Sequence, residues 1–390
     1  MKILIVTGIF PPDVGGPATY SPMAAEALAG RGWDVSVVAW SDSLEHDDSA
    51  YGFRVARIPR GGSKPLRMAR TLFSIARFGT SSDIIFSVGL ALESAMANIL
   101  LRKPLVMKIV GDAAWERATR WGWTRESFEE FQTGGPSAGV RLLKRLRDWT
   151  IRRADRVITP SGNLAGCVRR WGADAGKVVV IPNGVEVPGA GDIHKFLPTS
   201  NPLSTPVKIA AVGRLVPWKR VDRLLEAISR MEGVGLVVVG DGPERGRLEE
   251  QVKELKVADR VHFTGAASRE EALGWMASCD MLAICSSYEG LPHVALEGMG
   301  LGLPVVATAV GGISEIIRDG ENGRLAPVDD REALFDALAS VAASLPEWRR
   351  LSEGAKETVR LVSFPLMMER TEAALRSASV IPGRRGHGRR

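Results

Sequence analysis

The sequence predicts an α/β protein built as two parallel-sheet domains, and three observations carry that expectation. At 390 residues the chain is longer than one comfortable hydrophobic core. Apolar runs of strand length alternate with helical stretches almost from end to end, which is the pattern of parallel sheets covered on both faces. The stretch 285–312, CSSYEGLPHVALEGMGLGLPVVATAVGG, reads as most of a complete βαβ unit.

That unit organises the rest. Met281, Leu282, Ala283 and Ile284 make a short buried strand. A turn follows at Glu289 and Gly290, and Pro292 sits where a helix can begin, because its fixed φ suits a first helical position. Val294, Leu296 and Met299 give the helix one buried side. Gly302 and Pro304 end it, and Val305, Val306 and Ala307 start the next strand. A helix start after a strand offers unpaired N–H groups and partial positive charge, a seat for phosphate. Glu289 in the turn and Glu297 in the second helical turn frame that seat. Two carboxylates would repel a phosphate unless they point elsewhere, for instance at sugar hydroxyls, so the pattern points to a nucleotide sugar.

Composition sets the outer limits. Hydrophobic content of 45% and charged content of 25% are those of an ordinary soluble protein. MKILIVTGIF lacks a small-residue cleavage site and runs into Pro11-Pro12, so it is expected to be a buried strand rather than a signal peptide. No run reaches the ~20 apolar residues that span a bilayer. Cys167, Cys279 and Cys285 show no metal spacing and are expected to be reduced thiols of a cytoplasmic protein. The net charge of +6 is uneven: residues 1–186 hold 25 Lys and Arg against 18 Asp and Glu, and the remainder 26 against 27. The excess favours an anionic partner for the N-terminal half, a lipid surface or lipid-phosphate acceptor before nucleic acid.

In chain order, residues 2–7 form the first strand, and Gly15 and Gly16 precede a helix over 18–30, so backbone can approach a ligand there. The loop is not GxGxxG, which removes the dinucleotide fingerprint and with it an NAD oxidoreductase. Strands are expected at 35–39, 55–59, 84–88 and 105–110. The helix near 65–78 combines Arg67, Arg70 and Arg77, with Lys64 just before it, with Leu66, Leu72, Phe73, Ile75 and Phe78, either a solvated basic face or one that lies on an anionic membrane. Asp112, just after a buried strand, is open between three roles: orienting a sugar hydroxyl, accepting the acceptor's proton, or capping the next helix. The polar insertion 113–136, with Trp115, Trp121, Trp123 and Phe128, is either an acceptor lid or packed on its own domain. In the basic helix 141–154, Leu142, Leu143, Leu146, Trp149 and Ile151 are expected to face inward. Strands at 156–159 and 178–181 and the string Asn183-Gly184-Val185 close the first domain, and 186–206 reads as linker. A strand at 207–212 then delivers Arg214 and Lys219, two cations that can clamp a diphosphate without metal. Strands at 236–239 and 261–264 end in the turns Gly240-Asp241-Gly242-Pro243 and Gly265, where a nucleobase can lie. A strand near 323–326 and helices to about 377 follow, and 378–390 reads as a basic disordered tail.

Glu289-x7-Glu297 inside EGLPHVALEGMGLGLPVVAT, with Gly290, Pro292, Gly302 and Pro304 in place, resembles the signature of the retaining glycosyltransferases of family 4. The likeness covers nearly the whole chain, through the Gly15-Gly16 loop, IPNGV, GRLVPWK and VGDGP. It implies the GT-B fold, two Rossmann-like domains whose parallel sheets face across a deep cleft. The domains would be 1–186 on the acceptor side and 207–361 on the donor side, with a linker at 187–206. A last helix at about 362–377 would pack back onto the first domain. The resemblance implies a metal-independent transferase with no cofactor, since the nucleotide sugar is a co-substrate. Retention in the family is ascribed to front-face attack, with the leaving phosphate helping to take the acceptor's proton. The implied catalytic residues are Asp112, Glu289, Arg214 and Lys219. Donor contacts would come from Gly15, Gly16, Arg214, Lys219, Glu289, Gly290, Leu291, Pro292, His293, Val294 and Glu297, with Glu297 on the ribose, Glu289 on the sugar, and His293 either on the donor or at the helix start. Two departures stand out: Asp112 where related enzymes often carry His, and Arg220 where Gly usually follows the Lys. The implied acceptor is a glycan, a glycolipid or a small molecule in cell-envelope or polysaccharide synthesis. The implied location is the cytoplasm, peripheral on the inner face of the membrane. A sugar-nucleotide epimerase of the same fold and a non-catalytic GT-B binding protein are the alternatives.

Overall fold

The architecture is taken from a computed structural model, which describes residues 1–42, 44–134, 137–187 and 189–380. The chain divides into two units, Met1–Ile181 together with the chain from Leu366 on, and Pro182–Pro365, and each is described by itself.

The first unit is a seven-stranded, fully parallel sheet in the order β3-β2-β1-β4-β5-β6-β7. Its strands are β1 Lys2–Thr7, β2 Asp34–Ser41, β3 Arg54–Pro59, β4 Ile84–Val88, β5 Leu105–Lys108, β6 Arg156–Thr159 and β7 Val178–Val180. Between them run α1 Gly16–Gly30, α2 Lys64–Ser81, α3 Ala91–Leu101, α4 Ala113–Arg120, α5 Phe128–Thr133, α6 Ala138–Arg152 and α7 Gly162–Arg170. The continuous apolar runs of β1 and β4 are buried, as central parallel strands with both faces covered must be.

Three expectations for this unit are corrected. The strand after Leu105 stops at Lys108, two residues short of 110. On α6 the buried residues are Val140, Leu143, Thr150 and Ile151, whereas Leu142 and Leu146 are exposed and Trp149 is half-buried. Helical spacing puts 140, 143, 147, 150 and 151 on one side, and 142, 146 and 149 on another. The final helix, Phe364–Ser379, runs past the point where the disordered tail was expected to start, and the rest of that tail, 381–390, lies outside the described residues. From Leu366 on this helix belongs to the first unit, where Glu372 accepts hydrogen bonds from Trp33 Nε1 (2.9 Å) and Arg31 (3.1 Å).

The second unit is a six-stranded parallel sheet in the order β10-β9-β8-β11-β12-β13. Its elements are α8 Ala190–Ile193, β8 Val207–Val212, α9 Val221–Ser229, β9 Val234–Val239, α10 Arg245–Glu254, β10 Val261–Gly265, α11 Arg269–Ala277 and β11 Met281–Ile284. They continue with α12 His293–Gly300, β12 Val305–Thr308, α13 Ile313–Ile316, β13 Arg324–Ala326, α14 Arg331–Ala343 and α15 Leu345–Arg360, so that the helix Phe364–Ser379 is α16. One face of the sheet packs on α9, α10 and α14, the other on α11, α12 and α13, each through its own apolar cluster, and α15 sends Leu351 into the first cluster and Ala355 into the second. The expected linker is not a free tether: Ile193 and Leu203 are buried in the second cluster, because two apolar side chains in that Pro-, Gly- and Ser-rich stretch gain by leaving water.

Both sheets reverse strand order once, between β1 and β4 in the first unit and between β8 and β11 in the second. In open α/β sheets the crevice outside the strand ends at such a reversal is where ligands bind.

Candidate active site

In the second unit the reversal brings together two loops that the sequence keeps seventy residues apart. β8 ends at Val212 and delivers Gly213 to Arg220; β11 ends at Ile284 and delivers Cys285 to Pro292. The loops are stitched by backbone, Ser287 N–H donating to the Trp218 carbonyl at 2.8 Å. Arg214, Leu215, Lys219, Cys285 and Ser286 line one pocket at this point.

Lys219 ends a single 3₁₀ turn, Pro217–Lys219, and its ammonium reaches Glu289 Oε1 at 2.5 Å. The same carboxylate oxygen accepts the Ser286 hydroxyl at 2.6 Å. Ser286 is buried and its carbonyl is held by Thr308 Oγ1. Glu289 is therefore a mostly buried carboxylate with its charge balanced by one lysine and its orientation set by one serine. Arg214 is exposed and forms no ion pair among the described residues, so a positive group stands ready beside the paired lysine. Arg220 is turned away from this work. It adopts the left-handed region at φ 51°, the conformation a Gly would suit, and pairs with Asp329 (2.6 Å) and Asp222 (3.4 Å).

The loop after Glu289 is held by close approach. Gly311 has φ 49°, and a Cβ there would lie 1.8 Å from the Glu289 carbonyl oxygen, so only glycine fits. Leu291 is fixed through its carbonyl, which accepts Asn183 Nδ2 at 2.7 Å. Pro292 is the cap of α12 rather than its first residue, with φ −73° and ψ 128°, and His293, partly buried, opens the helix. Gly290, Leu291, Pro292, His293 and Val294 thus surround the helix start, the positive end of the helix dipole.

Glu297 lies one turn further along α12. Its Oε1 accepts Arg269 Nε at 2.8 Å, and Arg269 also donates to the Glu186 carbonyl at 2.6 Å. Burial pushes the Glu297 carboxyl up, and Arg269 opposes that shift.

The remaining expected site residues belong to the first unit. Gly15 caps α1 with φ 143°, a conformation that only glycine adopts readily, and Gly16 is the first helical residue. Asp112 is fully buried. Its Oδ1 accepts the N–H groups of Ala114 (2.9 Å) and Trp115 (3.3 Å), and its Oδ2 accepts Gln132 (3.1 Å) and Arg147 (2.6 Å). Of the three roles open to it, that arrangement supplies the helix cap, with both oxygens engaged inside the unit. Around it the insertion folds on its own domain, Trp115 against Phe128, while Trp121 and Trp123 stay exposed as an edge-to-face pair.

Ser286, Arg269 and Asn183 were not assigned roles from sequence. Ser286 sits three residues before Glu289, a local signal that could have been read; Arg269 and Asn183 act across 28 and 108 residues and carried none. Among the described residues no group of three or more His, Cys, Asp or Glu is placed to hold a metal ion, and no helix is long and apolar enough to cross a membrane.

Residues 194–358 match the family described as glycosyl transferases group 1, and residues 15–184 match the glycosyl transferase 4-like domain. The chain is 35% identical over 158 residues to the lipopolysaccharide core biosynthesis glycosyltransferase LpsE of Rhizobium meliloti, 40% of this chain and 46% of that protein, so it spans about half the length of that relative. Sucrose-phosphate synthase from Thermosynechococcus elongatus is similar in structure, with TM-score 0.79 at 22% identity over 96% of this chain and 98% of that one. Anabaena HepE, solved in complex with UDP and glucose, gives TM-score 0.76 at 21% identity over 97% and 100%. At those identities the likeness is one of fold, and the fold is GT-B.

Proposed function

Because the chain belongs to the group 1 glycosyl transferases, we propose that it moves a sugar from a nucleoside diphosphate sugar to a glycan, glycolipid or small-molecule acceptor, with retention and without a metal. The observation that carries the reading is the Lys219–Glu289 pair at the strand-order reversal of the second unit. It holds a cation of the pocket wall, Lys219, against a carboxylate at the end of the facing loop. When a donor enters, Lys219 and Arg214 take the diphosphate and stabilise its charge as the glycosidic bond breaks, and Glu289, still held by Ser286, accepts hydroxyls of the sugar. The start of α12 supplies N–H groups to the same phosphates, and Glu297 takes the ribose. HepE's complex with UDP and glucose supports a uridine nucleotide as the first donor to try.

Lys219→Ala tests this. Turnover of the nucleotide sugar in EDTA should fall by orders of magnitude, measured well below the midpoint of thermal unfolding, which itself should fall because Glu289 loses its cation. Near-normal turnover removes Lys219 from the mechanism, and product formed from the donor alone points to an epimerase instead.

We infer further that the enzyme works in the cytoplasm at the surface of the membrane. α2, α3 and α6 pack side by side and expose Leu66, Phe73, Met96, Ile99, Leu100, Leu142 and Leu146 among Arg70, Arg77, Arg141 and Arg145. An apolar stripe set in cations fits the boundary of an anionic bilayer, and LpsE, a lipopolysaccharide core enzyme, supports an envelope acceptor. Vesicles rich in phosphatidylglycerol should sediment the protein at low salt and neutral vesicles should not; equal behaviour removes the membrane from the reading.

A further inference from the structure

Among the described residues Glu297 forms an ion pair with one cation, and that cation comes from another helix. Arg269 is the first residue of α11, placed there by a capping box in which Ser268 Oγ accepts the Glu271 N–H (3.2 Å) and Glu271 accepts the Ser268 N–H (2.7 Å). From that fixed base its Nε reaches Glu297 Oε1 at 2.8 Å. A second guanidinium nitrogen is tied to the Glu186 carbonyl at 2.6 Å, so the fork cannot swing. The pair is largely sheltered, with side-chain exposure of 21% for Arg269 and 12% for Glu297. Among the described residues no hydrogen bond or ion pair engages Glu297 Oε2, so one oxygen is anchored and the other is unengaged.

We propose that Arg269 is a positioning residue that makes this site select ribonucleotides over deoxyribonucleotides. It rests on the nucleotide-sugar reading. Arg269 orients Glu297 and keeps its carboxylate charged, so that Oε2 accepts hydrogen bonds from the 2′- and 3′-hydroxyls of a ribose together. A sheltered carboxyl without its cation becomes neutral more readily, and a neutral acid is a weaker and differently oriented acceptor. The 2′-deoxy sugar offers one hydroxyl fewer. The discrimination therefore depends on the charge and placement of Glu297, and both depend on Arg269.

The test compares dissociation constants of UDP, GDP and ADP with those of their 2′-deoxy counterparts, by calorimetry on the full chain. For the nucleotide that binds, the unaltered protein should prefer the ribose form by about tenfold, the scale of one charge-assisted hydrogen bond. Arg269→Gln and Glu297→Gln should each bring that ratio close to one, mainly by weakening the ribose form. Arg269→Lys, which keeps the charge, should keep part of the preference. A purely structural tie between α11, α12 and Glu186 would weaken both forms alike in Arg269→Gln. An unchanged ratio therefore overturns the inference while leaving the nucleotide-sugar reading intact. Failure of the unaltered protein to bind any of the three nucleotides overturns both.

Discussion

Asp112→Ala separates a structural carboxylate from a catalytic one, and its size follows from the contacts. The substitution removes the cap acceptor for Ala114 and Trp115, a loss of about 1 kcal/mol. It also takes the carboxylate from Arg147, which is only 10% exposed, and breaking a buried pair from one side costs about 3–5 kcal/mol. Arg147 keeps Asp148 at 2.9 Å and the Trp171 ring at 4.3 Å, which places the cost at the low end. The sum is about 4 kcal/mol. In a unit of roughly 200 residues each kcal/mol moves the midpoint by about 2–4 °C, so calorimetry should show a fall of roughly 8–16 °C. Asp112→Asn keeps an acceptor for the helix N–H groups and should lose about half as much. Turnover measured well below the lowered midpoint should stay within about tenfold of normal. The reasoning is refuted if Asp112→Ala unfolds within about 2 °C of the unaltered protein while turnover drops by orders of magnitude, because the carboxylate would then serve the chemistry and not the fold.

Two further outcomes can be checked on the same samples. Gly311→Ala must push a methyl into the Glu289 carbonyl 1.8 Å away, so the loop shifts by more than 1 Å; displacement of that order costs about 10²-fold in turnover, and turnover near normal would show that the loop yields without moving Glu289. Lys108, buried under the Tyr20 ring, has its ammonium pushed down to about 7 by burial. Its folded value lies below its unfolded one, so between about pH 7 and 10 the unfolded chain binds more protons and stability rises with pH, by at most about 1.4 kcal/mol per unit. Denaturant titrations of Lys108→Met should lack that rise; an identical slope in both proteins would mean that Lys108 does not titrate in this window.

Much of the fold was legible before any coordinates. The strand at 84–88 and the strand at 207–212 were placed to the residue, because a buried parallel strand is a continuous apolar run bounded by turn residues. The helix 141–154 was found with an inner face only partly right: Leu143 and Ile151 go in, Leu142 and Leu146 do not. Five apolar side chains and six cations crowd one short amphipathic stretch, and which leucines go in depends on where the sheet and α3 and α4 lie. The chemistry of the site was half visible. Glu289, Lys219 and Arg214 stood out as residue types at strand ends, but the sequence held no sign that Lys219 already sits on Glu289 or that Ser286 shares the same oxygen.

What the sequence determined by itself is what depends on near neighbours: two parallel sheets, the punctuation of each βαβ unit by Gly and Pro, and the EGLP turn that opens α12. These follow from backbone φ and from hydrophobic period, which act over a few residues. What only the tertiary structure decided is who pairs with whom. Asp112 meets Arg147 across 35 residues while it caps α4; Arg269 meets Glu297 across 28 and leaves one oxygen unengaged; Lys219 meets Glu289 across 70. A charged group's role is set by whatever lies within about 3 Å of it, and only the packing of whole elements around a strand-order reversal brings those partners that close.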